Sequence, residues 1–145
     1  MEGEQPIDVF VSYSSLDHER VRPIVENLKA SGLNVWWDSR IAPGSGFDAE
    51  IQDALDKARC VLVIWSEHSV TSEWVITEAS EGLDRGILVP VSIDGTRPPL
   101  AFRRRQTIAI GRGKSALEQV GAAVSSVLEG TAIEFSRAAP KHAGG

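Results

Sequence analysis

The chain has 145 residues, of which 42% are hydrophobic and 24% charged, a size and balance that give one globular domain with a proper core and leave no room for a second. A net charge of -5 argues against general attraction to nucleic acid or to an anionic membrane. The single cysteine, Cys60, excludes an intrachain disulfide and any need for an oxidising compartment.

In chain order, 1–6 read as an N-terminal tail without the basic start and apolar stretch of a signal peptide. Ile7 to Tyr13 is rich in β-branched and aromatic residues and predicts a strand closed by the Ser14-Ser15 turn. Val21, Ile24, Val25 and Leu28 then repeat at helical spacing up to Ser31-Gly32. With a helix start near Glu19 or Arg20, the missing N–H of Pro23 falls in or near the first turn, and Asp17 favours that turn electrostatically. Leu33 to Trp37 predicts a short second strand, followed by the long connection Asp38 to Gly46, of the length that functional loops have.

Phe47, Ile51, Leu55 and Ala58 mark a second helix, and Cys60 to Trp65 shows no alternation, as expected of a strand covered on both faces. Ser72 is a suitable N-cap for a third helix that Gly86 ends. Ile87 to Ile93 predicts a fourth buried strand closed by Asp94-Gly95, and Thr107 to Ile110 a short edge strand. Leu117, Val120, Val124 and Val127 give a last helix, broken by Gly130. The domain is thus expected over 7–130, with 131–145 as a disordered C-terminal tail or linker. No apolar run is long enough to span a bilayer, so a cytoplasmic chain without membrane or nucleic-acid partners is expected.

Five strands alternating with helices predict an α/β, flavodoxin-like three-layer fold: a five-stranded parallel sheet with helices on both faces. Ligands of such folds sit at the carboxyl ends of the strands, near the topological switch point. The third helix begins on that edge, and its stretch Ser72 to Glu81 places Trp74 and Glu78 four residues apart, on one face. A carboxylate against an indole ring is partly desolvated, a pairing suited to a site and also common on ordinary helices.

Other motifs fail on spacing. Gly111-Arg112-Gly113-Lys114-Ser115 resembles the end of a phosphate-binding loop, but the glycine required five residues before Gly113 is Ile108. A phospho-receiver needs acids after its first and third strands, where Ser12-Tyr13-Ser14 and Ser66-Glu67 stand. No Gly-x-Gly-x-x-Gly follows the first strand. His18, His68 and His142 are scattered, so no metal is expected, and Gly44-Ser45-Gly46 is not a nucleophile elbow.

Three stretches carry a family resemblance. Asp8 to Ser14, then Val35-Trp36-Trp37-Asp38 with Ile41-Ala42-Pro43-Gly44 and Phe47, and lastly Ser72 to Glu78 occur in the right order. With them the chain resembles a TIR (Toll/interleukin-1 receptor) domain of the bacterial, NAD-cleaving type, over Ile7 to Leu128. The resemblance implies that the glutamate ending Trp-x-x-x-Glu, here Glu78, is catalytic. It also implies a substrate surface at Tyr13, Ser14, Pro43, Phe47 and Trp74; some active relatives carry arginine where Ser14 stands. No cofactor is expected, since NAD enters as substrate.

Two function classes follow from the resemblance. One is an NAD glycohydrolase or cyclase that releases nicotinamide and leaves ADP-ribose or a cyclic isomer, activated by self-assembly through the Asp38 to Gly46 loop, in bacterial antiphage defence or signalling. The other is a non-enzymatic interaction module, a signalling adaptor or virulence factor. Other TIR domains and a sensor in a longer chain are the expected partners. Binding of the nucleotide without turnover is a third possibility, distinguished by a thermal shift without product.

Overall fold

The run Cys60 to Trp65 has no polar position because both its faces are covered: every residue of β3 (Val61–Trp65) is buried. A computed structural model describes residues 7–37, 48–104, 107–110 and 116–130. Around β3 run β1 (Val9–Ser12), α1 (His18–Ala30), β2 (Val35–Trp36), α2 (Asp48–Lys57), α3 (Glu73–Arg85), β4 (Leu88–Ser92), β5 (Ile108–Ala109) and α4 over 116–130. The five strands form one parallel sheet in the order β2-β1-β3-β4-β5, the expected flavodoxin-like arrangement. The order reverses between β1 and β3, where Phe10 to Ser12 lie beside Val61 to Val63.

Strand alternation sorts the core into two layers. Val9, Val11, Leu62, Ile64, Val89 and Val91 face α1 and α4, meeting Val21, Ile24, Val25, Leu28, Val120 and Val124. Phe10, Val61, Val63 and Trp65 face α2 and α3, meeting Ile51, Leu55, Val75 and Ala79. Each fully buried valine or leucine contributes about 1.5–3 kcal/mol, so the sheet is held from both sides.

The edges of the elements differ from the expectation in instructive ways. The first strand is Val9–Ser12, with Ile7 making only an isolated bridge to Ala58. Helix α1 starts at His18, so Pro23 lies in the second turn and leaves the Glu19 carbonyl without its helical donor. Asp17 makes no side-chain cap for α1; its carboxylate accepts from Ser66 instead. Pro90 sits inside β4 without breaking it. The Val61 N–H reaches Ile87 O and the Ile93 N–H reaches Trp65 O, so odd positions bond to β3. Pro90 therefore turns its missing donor to the outer side, where the ladder with β5 has not begun.

The stops are as the sequence predicts. Gly32, Gly86 and Gly95 all have positive φ, and Gly86 closes α3 at φ 73°. No described helix is long and apolar enough to cross a membrane.

Candidate active site

Helix α3 is set in place by its ends and its stripe. Ser72 Oγ accepts from the Val75 N–H at 3.2 Å, capping the N-terminus, and Val75, Ala79 and Gly82 lie against the sheet. Glu78 falls on that buried stripe, only 5% exposed, rather than beside it. Trp74, one turn earlier, is half-buried and packs against the core cluster of the same face.

The partner of Glu78 comes from the other side of the switch point. Ser12, the last residue of β1, shares the parity of Phe10 and so points toward α3. Its hydroxyl donates to Glu78 Oε1 at 2.7 Å inside the protein. Burial pushes the Glu78 carboxyl from 4.5 up to about 7, while hydrogen bonds from Ser12 and Trp74 act to lower it. The result is a carboxylate that changes charge near neutrality, held at one oxygen, with an indole beside it.

Outside this trio, Thr71, Ser72, Glu73, Trp74 and Thr77 line an open recess of about 500 Å³ at the start of α3. Trp74 is the wall between that recess and the Glu78 carboxyl. A volume of this order accommodates a ligand of nucleotide size, and the two threonines and the serine offer hydroxyls to it.

The remaining candidates are distributed. Ser14 caps the 3-10 turn Ser15–Asp17, its Oγ accepting from the Leu16 N–H at 3.3 Å. Tyr13 packs against the core on the α1 side, the opposite face from Ser12. Its hydroxyl bonds His18 Nδ1 at 3.2 Å, its ring lies 5.8 Å from Trp37, and His18 stacks on Trp37 at 4.5 Å. Pro43 and Phe47, with the whole Asp38 to Gly46 loop, lie outside the described residues. The structure thus brings Trp74 and Glu78 together with Ser12, a residue that sequence reasoning had not singled out. Its signal was faint: a serine ending an otherwise apolar strand, in register with Phe10.

Among the described residues no group of three His, Cys, Asp or Glu side chains is placed to hold a metal ion. Cys60 is fully buried, and burial pushes its thiol up to about 12, which leaves it unreactive.

Comparison with known proteins adds to this geometry. The TIR domain family matches residues 9–123. The chain is 32% identical over 75 residues to the 2' cyclic ADP-D-ribose synthase AbTIR of Acinetobacter baumannii, covering 50% of this chain and 28% of that protein. It is 30% identical over 98 residues to the NAD(+) hydrolase TcpA of a Theionarchaea archaeon, covering 63% of this chain and 30% of that one. The chain therefore spans less than a third of the length of either relative. In fold it is similar to a metazoan TIR-STING receptor from C. gigas, with a TM-score of 0.67 at 23% identity over 81% of this chain and 39% of the receptor.

Proposed function

We propose that this chain, which belongs to the TIR domain family, cleaves the bond between nicotinamide and ribose in NAD, with Glu78 as the catalytic carboxylate. The observation that carries the reading is the buried Glu78 side chain, bonded by Ser12 where the strand order reverses. Two relatives whose names state NAD cleavage or cyclic ADP-ribose synthesis support it.

The chemistry asks little more of the protein than this. Ordinary glycosidases need one acid to protonate the leaving oxygen and a second carboxylate. Nicotinamide leaves as a neutral molecule from a pyridinium cation, so no acid is required. The electron pair of the breaking C–N bond goes to the ring nitrogen, and the ribose carbon is left as an oxocarbenium-like centre. A carboxylate bonded to the ribose hydroxyls stabilises that positive charge electrostatically. Ser12 fixes Oε1 of Glu78 and so leaves Oε2 for the sugar, while Trp74 offers a flat face for the leaving ring.

Water attacking the ribose carbon gives ADP-ribose, and attack by a hydroxyl of the same molecule gives a cyclic isomer. The names of the two relatives span both outcomes. Assembly with further copies through the Asp38 to Gly46 loop, a sensor elsewhere in a longer chain, and a role in bacterial defence or signalling belong to the same proposal. Tyr13, Ser14, Pro43 and Phe47 remain its proposed outer substrate contacts.

The test is to incubate the purified chain with NAD at high protein concentration and follow nicotinamide by chromatography. The wild type is expected to release nicotinamide, and Glu78→Gln and Glu78→Ala to lose at least about a hundredfold in rate, the scale of removing one electrostatic stabiliser of a transition state. Release that survives Glu78→Ala removes Glu78 from the mechanism. No release under any assembling condition favours the interaction module instead.

A further inference from the structure

The carboxyl edge of the sheet holds a second buried carboxylate, which the proposed chemistry does not use. Asp17 closes the turn between β1 and α1 with 1% of its surface exposed. Its Oδ2 accepts from Ser66 Oγ at 2.5 Å. Its Oδ1 has no hydrogen-bond partner and is faced by Arg20 Nη1 at 3.6 Å and by His68 Nε2 at 3.9 Å. The same His68 nitrogen lies 3.8 Å from Glu67 Oε2. A buried carboxylate with one oxygen unbonded works against folding, and an apolar pair would fill the space without that penalty. Stability alone gives no reason for this arrangement.

What Asp17 grips is the loop that leads to the site. Ser66 is the first residue after β3, and its Oγ also accepts from the N–H groups of His68 at 3.1 Å and Ser69 at 3.2 Å. Ser69 Oγ donates to Ile64 O at 2.8 Å and accepts from the Ser66 N–H at 2.8 Å. The loop is knotted on itself, so it moves as a unit or not at all. It ends at Ser72, the cap of the helix whose first two turns carry Trp74 and Glu78. Five residues before Asp17 stands Ser12, the partner of Glu78. The seam continues to the next strand: Arg20 Nη2 donates to Ile93 O at 3.3 Å, and the Glu67 N–H to Asp94 Oδ2 at 2.9 Å.

We infer that Asp17 is a positioning residue: through Ser66 it locks the β3–α3 loop to the end of β1 and so keeps Trp74 and Glu78 in register with Ser12. The kinetic part rests on the proposed NAD cleavage, whereas the positional part is readable from Glu78 itself.

The experiment follows the Glu78 side-chain carboxyl by carbon NMR across pH, and nicotinamide release alongside, in wild type, Asp17→Ala, Asp17→Asn and Ser66→Ala. Freeing the loop admits water, so in Asp17→Ala the Glu78 midpoint is expected to fall by about half a pH unit or more. The kcat for release drops about tenfold with KM within about twofold, the mark of a displaced reacting group rather than lost binding. Asp17→Asn keeps an oxygen for the Ser66 hydroxyl and restores most of both. Ser66→Ala removes only that hydroxyl, reproduces the shift, and carries the test if Asp17→Ala does not fold. A lowered Tm with an unmoved Glu78 midpoint in the folded variants overturns the inference and leaves Asp17 a stability element. A wild type that releases no nicotinamide overturns the proposed function instead, and the Glu78 midpoints then decide the positioning role alone.

Discussion

Glu78 holds its proton more tightly in the fold than in the unfolded chain, because burial outweighs the bonds from Ser12 and Trp74. A carboxyl raised from 4.5 to about 7 gives a stability contribution that is fully present below pH 4.5 and lost as pH rises through 7. At pH 8 the ionised side chain therefore costs about 3 kcal/mol relative to pH 4.5. Glu78→Gln is neutral at both pH values and has nothing to ionise. It is expected to raise Tm by several degrees at pH 8 and by little at pH 5. Thermal unfolding of the two proteins at both pH values checks this; equal differences at the two would show that Glu78 ionises without strain. Chemistry runs the other way, since only the carboxylate stabilises the sugar cation. Under the proposed function kcat/KM for NAD rises with pH through a midpoint of about 7. The same residue thus weakens the fold in the pH range where it acts, the usual trade at a functional site.

Helix α3 depends on a glycine whose role its local sequence hides. Gly82 lies mid-helix, where glycine is about 1 kcal/mol worse than alanine, so propensity alone recommends Gly82→Ala. A Cβ there would stand 2.7 Å from Val61 Cβ and 3.1 and 3.2 Å from its two methyls, on the strand β3. That approach is too close, so the helix must lift from the sheet, and overpacking of this kind costs about 1–3 kcal/mol. Gly82→Ala is expected to lower the urea midpoint despite its helix preference. Gly121→Ala, in α4 with nothing within 4 Å of the added carbon, is expected to raise it by the ordinary propensity gain. Denaturant unfolding of both decides, and a stabilised Gly82→Ala would mean that α3 rides loosely on β3. Because Trp74 and Glu78 share that helix, the close contact at Gly82 also fixes how deep the carboxyl sits.

Over the whole molecule, what the sequence revealed was the part governed by short-range rules. The unbroken apolar runs around β3 and β4, the Ser72 cap and the Gly86 stop specify the layers and the helix that bears Trp74 and Glu78. The hydrogen bonds that finish the site are long-range: Ser12 to Glu78 spans 66 positions and Ser66 to Asp17 spans 49, and no local pattern encodes either pairing. Tyr13 shows the same limit, since one step along the strand turned it to the other face of the sheet from Ser12. The described part of the site is accordingly a single wall, made of Ser12, Trp74 and Glu78. The proposed complement is the Asp38 to Gly46 loop, supplied by a second copy of the chain. A site completed by a neighbour obeys mass action: well below the dissociation constant, tenfold dilution lowers the rate per chain about tenfold, whereas a site complete in one chain keeps it constant. Mixing Glu78→Gln with a variant carrying glycines at 41–44 offers a second reading, because each lacks what the other retains. Nicotinamide release that returns on mixing, together with a concentration-dependent rate, is the expected outcome. A rate per chain that is flat across dilution, with no recovery on mixing, would place the whole site within one chain.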